Sequence, residues 1–168
     1  MKLINGRGQL GELFTKNIDI FNNLDITLYH TWNFLDKSEE VQKKLYEDFL
    51  KYLKIYSNER IIFISTKSKE DNYYTQYKML AEKSLIDRCE KYTIIRLPNL
   101  IGKGICQKFK ENKNIEAYGT LELLSIENAY ELIIPYLKLE GIFEIDGEKI
   151  TANLVKKLIC FGKEKEVL

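Results

Sequence analysis

Arg60 to Ser65 (RIIFIS) is the stretch that most narrows what this chain can become. It is short, rich in β-branched and aromatic residues, and reads as a buried strand. Similar runs recur at Lys2 to Asn5, Ile18 to Phe21, Asp25 to Thr31 (DITLYHT), Tyr92 to Leu97 (YTIIRL) and Gly141 to Ile145. Helical patterns lie between them. Gln9 to Lys16 is a short helix. Ser38 is an N-cap with Glu39 and Glu40 in the first turn of a helix reaching about Tyr56. Val41, Leu45, Phe49, Tyr52 and Leu53 form its apolar stripe. Tyr74 to Glu90, Ile126 to Leu139 and Thr151 to Cys160 complete the set. Strands alternating with helices predict an α/β fold, a parallel sheet covered by helices on both faces.

With 168 residues, the expectation is one compact domain spanning 1–168. Basic and acidic side chains number 26 and 25, for a net charge of +1. That balance gives no electrostatic case for nucleic acid or for an anionic membrane. No apolar run reaches the length of a membrane span. Met1 to Gly6 is interrupted too early for a signal peptide, so a cytoplasmic protein is expected. Cys89, Cys106 and Cys160 are scattered and odd in number, which suggests free thiols. A single histidine, His30, argues against a histidine-based metal site or catalytic triad, and no metal is expected.

Two motifs carry chemistry. Gly6-Arg7-Gly8-Gln9-Leu10-Gly11 fits G-x-G-x-x-G between the first strand and the first helix. Glycines let the backbone approach a phosphate, and a helix N-terminus offers unpaired N–H groups. A plain strand-to-helix turn would have the same glycines. An acid for a ribose is expected about 20 residues on, after a second strand. Only Asp25 lies nearby, and it opens the next strand.

The second motif joins Ile64-Ser65-Thr66 to Tyr74-Thr75-Gln76-Tyr77-Lys78. Tyr74 and Lys78 stand four apart and share a helical face. An adjacent ammonium would lower the phenol pKa and make Tyr74 a usable acid/base. A surface tyrosine–lysine pair is the bland alternative. Tyr73 is a competing phenol but stands five residues from Lys78.

Together these residues resemble the short-chain dehydrogenase/reductase superfamily, in its extended epimerase/dehydratase branch. The resemblance is nearest to dTDP-4-dehydrorhamnose reductases. It rests on the glycine turn, on Ile62-Phe63-Ile64-Ser65-Thr66, and on Tyr74-x-x-x-Lys78-x-x-Ala81-Glu82. It continues through Arg96-Leu97-Pro98-Asn99-Leu100-Ile101-Gly102, Tyr118-Gly119, Ser125 to Ala129 and Gly141 to Ile150. The resemblance implies a truncated Rossmann-like, doubly wound parallel sheet with an abbreviated C-terminal substrate side. It implies NAD or NADP as cofactor and a nucleotide-linked sugar as substrate, with reduction or epimerisation as the reaction.

Residue by residue, Tyr74 would be the acid/base, Thr66 would bond the reacting oxygen, and Lys78 would tune Tyr74 and hold the nicotinamide ribose. Gly6, Arg7, Gly8, Gln9, Leu10, Gly11 and Thr31 would contact the cofactor, and Asn99 the substrate. The resemblance also implies a homodimer through helices 38–56 and 74–90.

The chain departs from this pattern in places. Asn5 stands where a glycine is usual, the segment before Asp25 is short, and Trp32 is bulky beside the cofactor strand. A second reading is therefore a reduced relative without dinucleotide turnover, acting as a partner subunit in sugar-nucleotide or polysaccharide biosynthesis. A third is a glycine turn that binds a mononucleotide or a phosphate alone. His30 reads as a hydrogen-bonded strand residue, Trp32 as packing or a pocket wall, and Cys106 as an idle thiol.

Overall fold

A computed structural model describes residues 1–4, 8–30, 32–102, 105–112 and 114–160. In chain order the elements are β1 (Lys2–Ile4), α1 (Gln9–Lys16), β2 (Thr27–Tyr29), α2 (Glu39–Tyr56), β3 (Ile61–Thr66) and α3 (Tyr73–Arg88). There follow β4 (Tyr92–Leu97), β5 (Asn99–Leu100), α4 (Ile105–Glu111), β6 (Thr120–Leu124), α5 (Ile126–Ile133), β7 (Gly141–Glu144), β8 (Glu148–Thr151) and α6 (Ala152–Cys160). Short 3₁₀ turns occupy Ile18–Phe21 and Ile134–Lys138.

The main sheet has the order β1-β2-β3-β4-β7, and every pairing is parallel. β3 is central, and Ile61 through Ser65 are all buried. Ile62 and Ile64 face a core shared with Leu10 and Phe14 of α1 and with Ala129 and Ile133 of α5. Ile61 and Phe63 face the other way, toward Phe49 and Leu53 of α2 and Ala81 and Leu85 of α3. Side chains alternate across a strand, so one apolar run feeds two cores. The expected α/β architecture is present, with helices on both faces.

A second, three-stranded sheet, β5-β6-β8, carries its own small core of Phe109, Leu123 and Val155. It lies downstream of β4. Lys67, just after β3, ties the two sheets together. Its ammonium lies 2.6 Å from both Glu122 on β6 and Asp146. No helix among the described residues is long and apolar enough to cross a membrane.

The topology of the first half is unusual. From β1 to β4 each step moves the same way across the sheet, yet α1 lies on the face opposite α2 and α3. The connection through α1 therefore has the opposite hand from the two that follow. Parallel crossovers are almost always of one hand. The arrangement is what remains of the order 3-2-1-4-5-6 when strands 2 and 3 are removed and the first helix stays in place.

Ile18–Phe21, expected as a strand, is instead a 3₁₀ turn. Only Phe21 of the four is buried, and Ile20 is 73% exposed. The alternating apolar pattern there has no strand to pair with. The helix expected over Ile126 to Leu139 ends at Ile133, and Pro135 sits in the 3₁₀ turn that follows.

Candidate functional site

A cavity of about 530 Å³ opens at the carboxyl ends of β1 to β4. Open parallel sheets bind ligands at this end. Gly8 and Gln9 come from the N-terminus of α1, His30 and Trp32 from the segment after β2, and Thr66 from the end of β3. Tyr74 and Lys78 reach in from α3, and Asn99 from β5. The structure thus brings Gly8, Gln9, Leu10, Thr66, Tyr74, Lys78 and Asn99 of the expected set to one cavity. Gly11 is buried within α1 and packs the helix. Gly6, Arg7 and Thr31 lie outside the described residues.

Asn72 starts α3 by accepting the Thr75 N–H at 3.0 Å. This cap sets the register that aims Tyr74 and Lys78 at the cavity. Lys78 is only 5% exposed. Its ammonium donates to the Ile64 carbonyl at 2.6 Å and lies 4.6 Å from the Phe63 ring centre and 4.8 Å from that of Trp32. Carbonyl and ring faces both favour a cation. Burial nevertheless pushes Lys78 down to about 7, against the opposing pull of Glu82.

Tyr74 departs from the expectation that Lys78 lowers its pKa. Burial pushes its phenol up to about 12, while a hydrogen bond from Thr66 lowers it and Glu70 raises it. The physical reason is that Lys78 turns to the Ile64 carbonyl and the two rings. Thr66 Oγ1 accepts the Ser68 N–H at 3.0 Å, which leaves its own proton to donate. Glu70 is held 2.6 Å from Lys37, whose ammonium lies 5.8 Å from the Tyr74 ring centre.

Sequence reasoning gave three contributors no role in the site. His30 lines the cavity, and its Nε2 would lie 3.4 Å from a Cβ placed on Gly8. Burial, then the charge of Lys78, pushes His30 down to about 4, so it is neutral at pH 7. Gln42, one position from the apolar stripe of α2, is completely buried. Its Oε1 accepts the Trp32 indole N–H at 2.7 Å, and its Nε2 donates to the Asn33 carbonyl at 2.7 Å. Gln42 thus pins Trp32 over Lys78. The signal was present in the one amide interrupting a charged helix face, but nothing local names its partner.

Glu82 and Arg96 are the third contribution, and their role is support. Glu82 accepts from Ser65 at 2.5 Å and pairs with Arg96 at 2.6 Å, and Arg96 continues to Glu144 at 3.0 Å. This chain of bonds locks α3 to β3, β4 and β7 behind the cavity. Asn99 is exposed and reaches the Glu122 carbonyl only at 3.5 Å, so its amide is available to a ligand. Among the described residues no group of three or more His, Cys, Asp or Glu side chains could hold a metal ion.

The residues fit one half of a nicotinamide dinucleotide. Gly8, in extended backbone at φ −86°, caps α1 without a side chain, as a phosphate cradle requires. The adenosine half has no counterpart among the described residues. β1 is the edge of the described sheet, and residues 17–26 bring the chain straight to β2.

No protein-family model matches the chain, and no curated protein matches its sequence. Solved structures match its fold. A dTDP-4-dehydrorhamnose reductase from Clostridium acetobutylicum superposes with a TM-score of 0.72 at 17% identity, over 95% of this chain and 79% of that one. A dTDP-4-dehydrorhamnose reductase from Bacillus anthracis, in complex with NADP, gives 0.70 at 14% identity, over 97% and 82%. UDP-glucose 4-epimerase from Thermus thermophilus, in complex with NAD, gives 0.62 at 16%, over 94% and 67%. The chain therefore has the Rossmann-like fold of these reductases and epimerases in a shorter form.

Proposed function

We propose that this chain acts on a nucleotide-linked sugar, by keto reduction or oxidation–reduction epimerisation, in the manner of the NAD(P)-dependent enzymes whose fold it shares. One observation carries the reading: Thr66, Tyr74 and Lys78 line the same cavity as the glycine turn and Asn99. Tyr74, with its phenol held protonated near neutral pH, is the proton donor to the sugar oxygen. On reduction a ketone oxygen must gain a proton, and the phenol carries one at neutral pH. Thr66 donates a hydrogen bond to the same oxygen. Lys78 places its amine within reach of the ligand, and Gly8 to Leu10 hold phosphate at the N-terminus of α1. A nicotinamide nucleotide, when bound, supplies or accepts the hydride. Three free cysteines among the described residues suit a reducing cytosol.

A second reading, nucleotide binding without turnover beside a sugar-modifying enzyme, is favoured by β1 being the edge of the sheet among the described residues. Single-turnover assays with 4-keto nucleotide sugars and NADH or NADPH separate the two. Turnover that falls at least ~100-fold in Tyr74→Phe, with an unchanged melting temperature, supports the first. Equal rates in the variant remove Tyr74 from the reaction. Binding of the sugar nucleotide with no turnover under any condition supports the second.

A further inference from the structure

The nucleotide side of the cavity stops at β1. In the full doubly wound order, the adenosine half of a dinucleotide lies against strands beyond the first, and an acid at a strand end holds its ribose. Here residues 17–26, all described, form a 3₁₀ turn and a short link and then enter β2 beside β1. Asp25 precedes β2, and β2 runs parallel to β1. Asp25 therefore lies toward the amino end of the sheet, away from the cavity. On this side of the sheet neither β1 nor β2 ends in an acid that could hold a second ribose.

The cavity extends the other way, from Gly8 past Tyr74 to Asn99 and Lys108. Its lining holds Lys37, Lys78 and Lys108 against one carboxylate, Glu70. Glu70 takes up Lys37 at 2.6 Å and burial lowers the Lys78 pKa, so Lys108 and the N-terminus of α1 are what meets one phosphate group or a pyrophosphate.

Resting on the reading of this cavity as a nucleotide site, we infer that its Gly8 end recognises a single mononucleotide unit, meaning one nucleoside or nicotinamide riboside with its phosphates, and leaves the Asn99 end to a second ligand. The adenosine half of a dinucleotide gains nothing here and stays in solvent.

The chain carries its own reporter, because Trp32 is its only tryptophan and lines the cavity. The test is titration of the whole protein with NADH, NADPH, reduced nicotinamide mononucleotide, UDP and dTDP, followed by calorimetry. For UDP and dTDP, whose bases do not absorb at the red edge of tryptophan excitation, Trp32 emission is followed as well. The expected result is reduced nicotinamide mononucleotide binding within threefold of NADH, and a change in Trp32 emission with any bound UDP or dTDP. NADH or NADPH binding more than tenfold tighter than the mononucleotide overturns the inference and leaves the proposed function standing. UDP or dTDP binding with no pyridine nucleotide bound supports the inference and removes the oxidoreductase reading. UDP or dTDP heat without any change in Trp32 emission places the ligand elsewhere and overturns the inference. No binding of any ligand up to millimolar concentration overturns both.

Discussion

Lys78 sits where its charge is hardest to keep. A lysine in water titrates near 10.4, and burial takes this one down to about 7. Between those values the unfolded chain holds a proton that the folded chain has lost. Stability must therefore rise with pH across this window and be lowest below it. Lys78→Met removes the dependence. Urea unfolding should show the variant gaining stability relative to the parent at pH 6, by up to roughly 1–4 kcal/mol, and matching it near pH 10. Equal differences at both values would mean that the ammonium is not desolvated. The four-residue spacing of Tyr74 and Lys78 was legible in the sequence, because a helix fixes it. The direction of the Tyr74 shift was not, since it depends on which acceptor the lysine finds, and Ile64 is 14 positions away.

At the scale of elements, α3 is held by polar bonds as much as by apolar packing. Glu82 is buried and joins Ser65 on β3 to Arg96 on β4. Arg96 is about one-third exposed at 32%, so solvent screens part of the pair. Glu82→Ala should cost less than the roughly 3–5 kcal/mol of a fully buried pair, and more than an exposed one. Thermal unfolding measures this, and a loss of under ~0.5 kcal/mol would show that the network is incidental. The long elements α2, β3, α3 and β4 were legible, because each carries a sustained period or a strong apolar run. β5, α4, β6 and β8 were not. β5 has two residues, and β6 mixes Glu122 among leucines because that carboxylate meets Lys67 from a distant strand.

The whole molecule is a sheet with one side built out and the other cut back. On the built side, Ile55, Met79, Leu80 and Ile86 of α2 and α3 are exposed. We propose a homodimer through these two helices, which would cover these exposed apolar residues. Light scattering on the purified chain should give about twice the 19.8 kDa chain mass. Met79→Glu should return the monomer mass, and a monomer at every concentration of the parent would exclude this interface.

The sequence by itself determined the α/β class, the parallel sheet and the motif positions, because periodicity and local chemistry are short-range properties. Tertiary structure alone decided the rest. Strand order left β1 at the edge, Gln42 anchored Trp32, and the Ile64 carbonyl captured Lys78. Each of these joins residues far apart in the chain, and such partners are chosen by packing and by the need to satisfy buried polar groups.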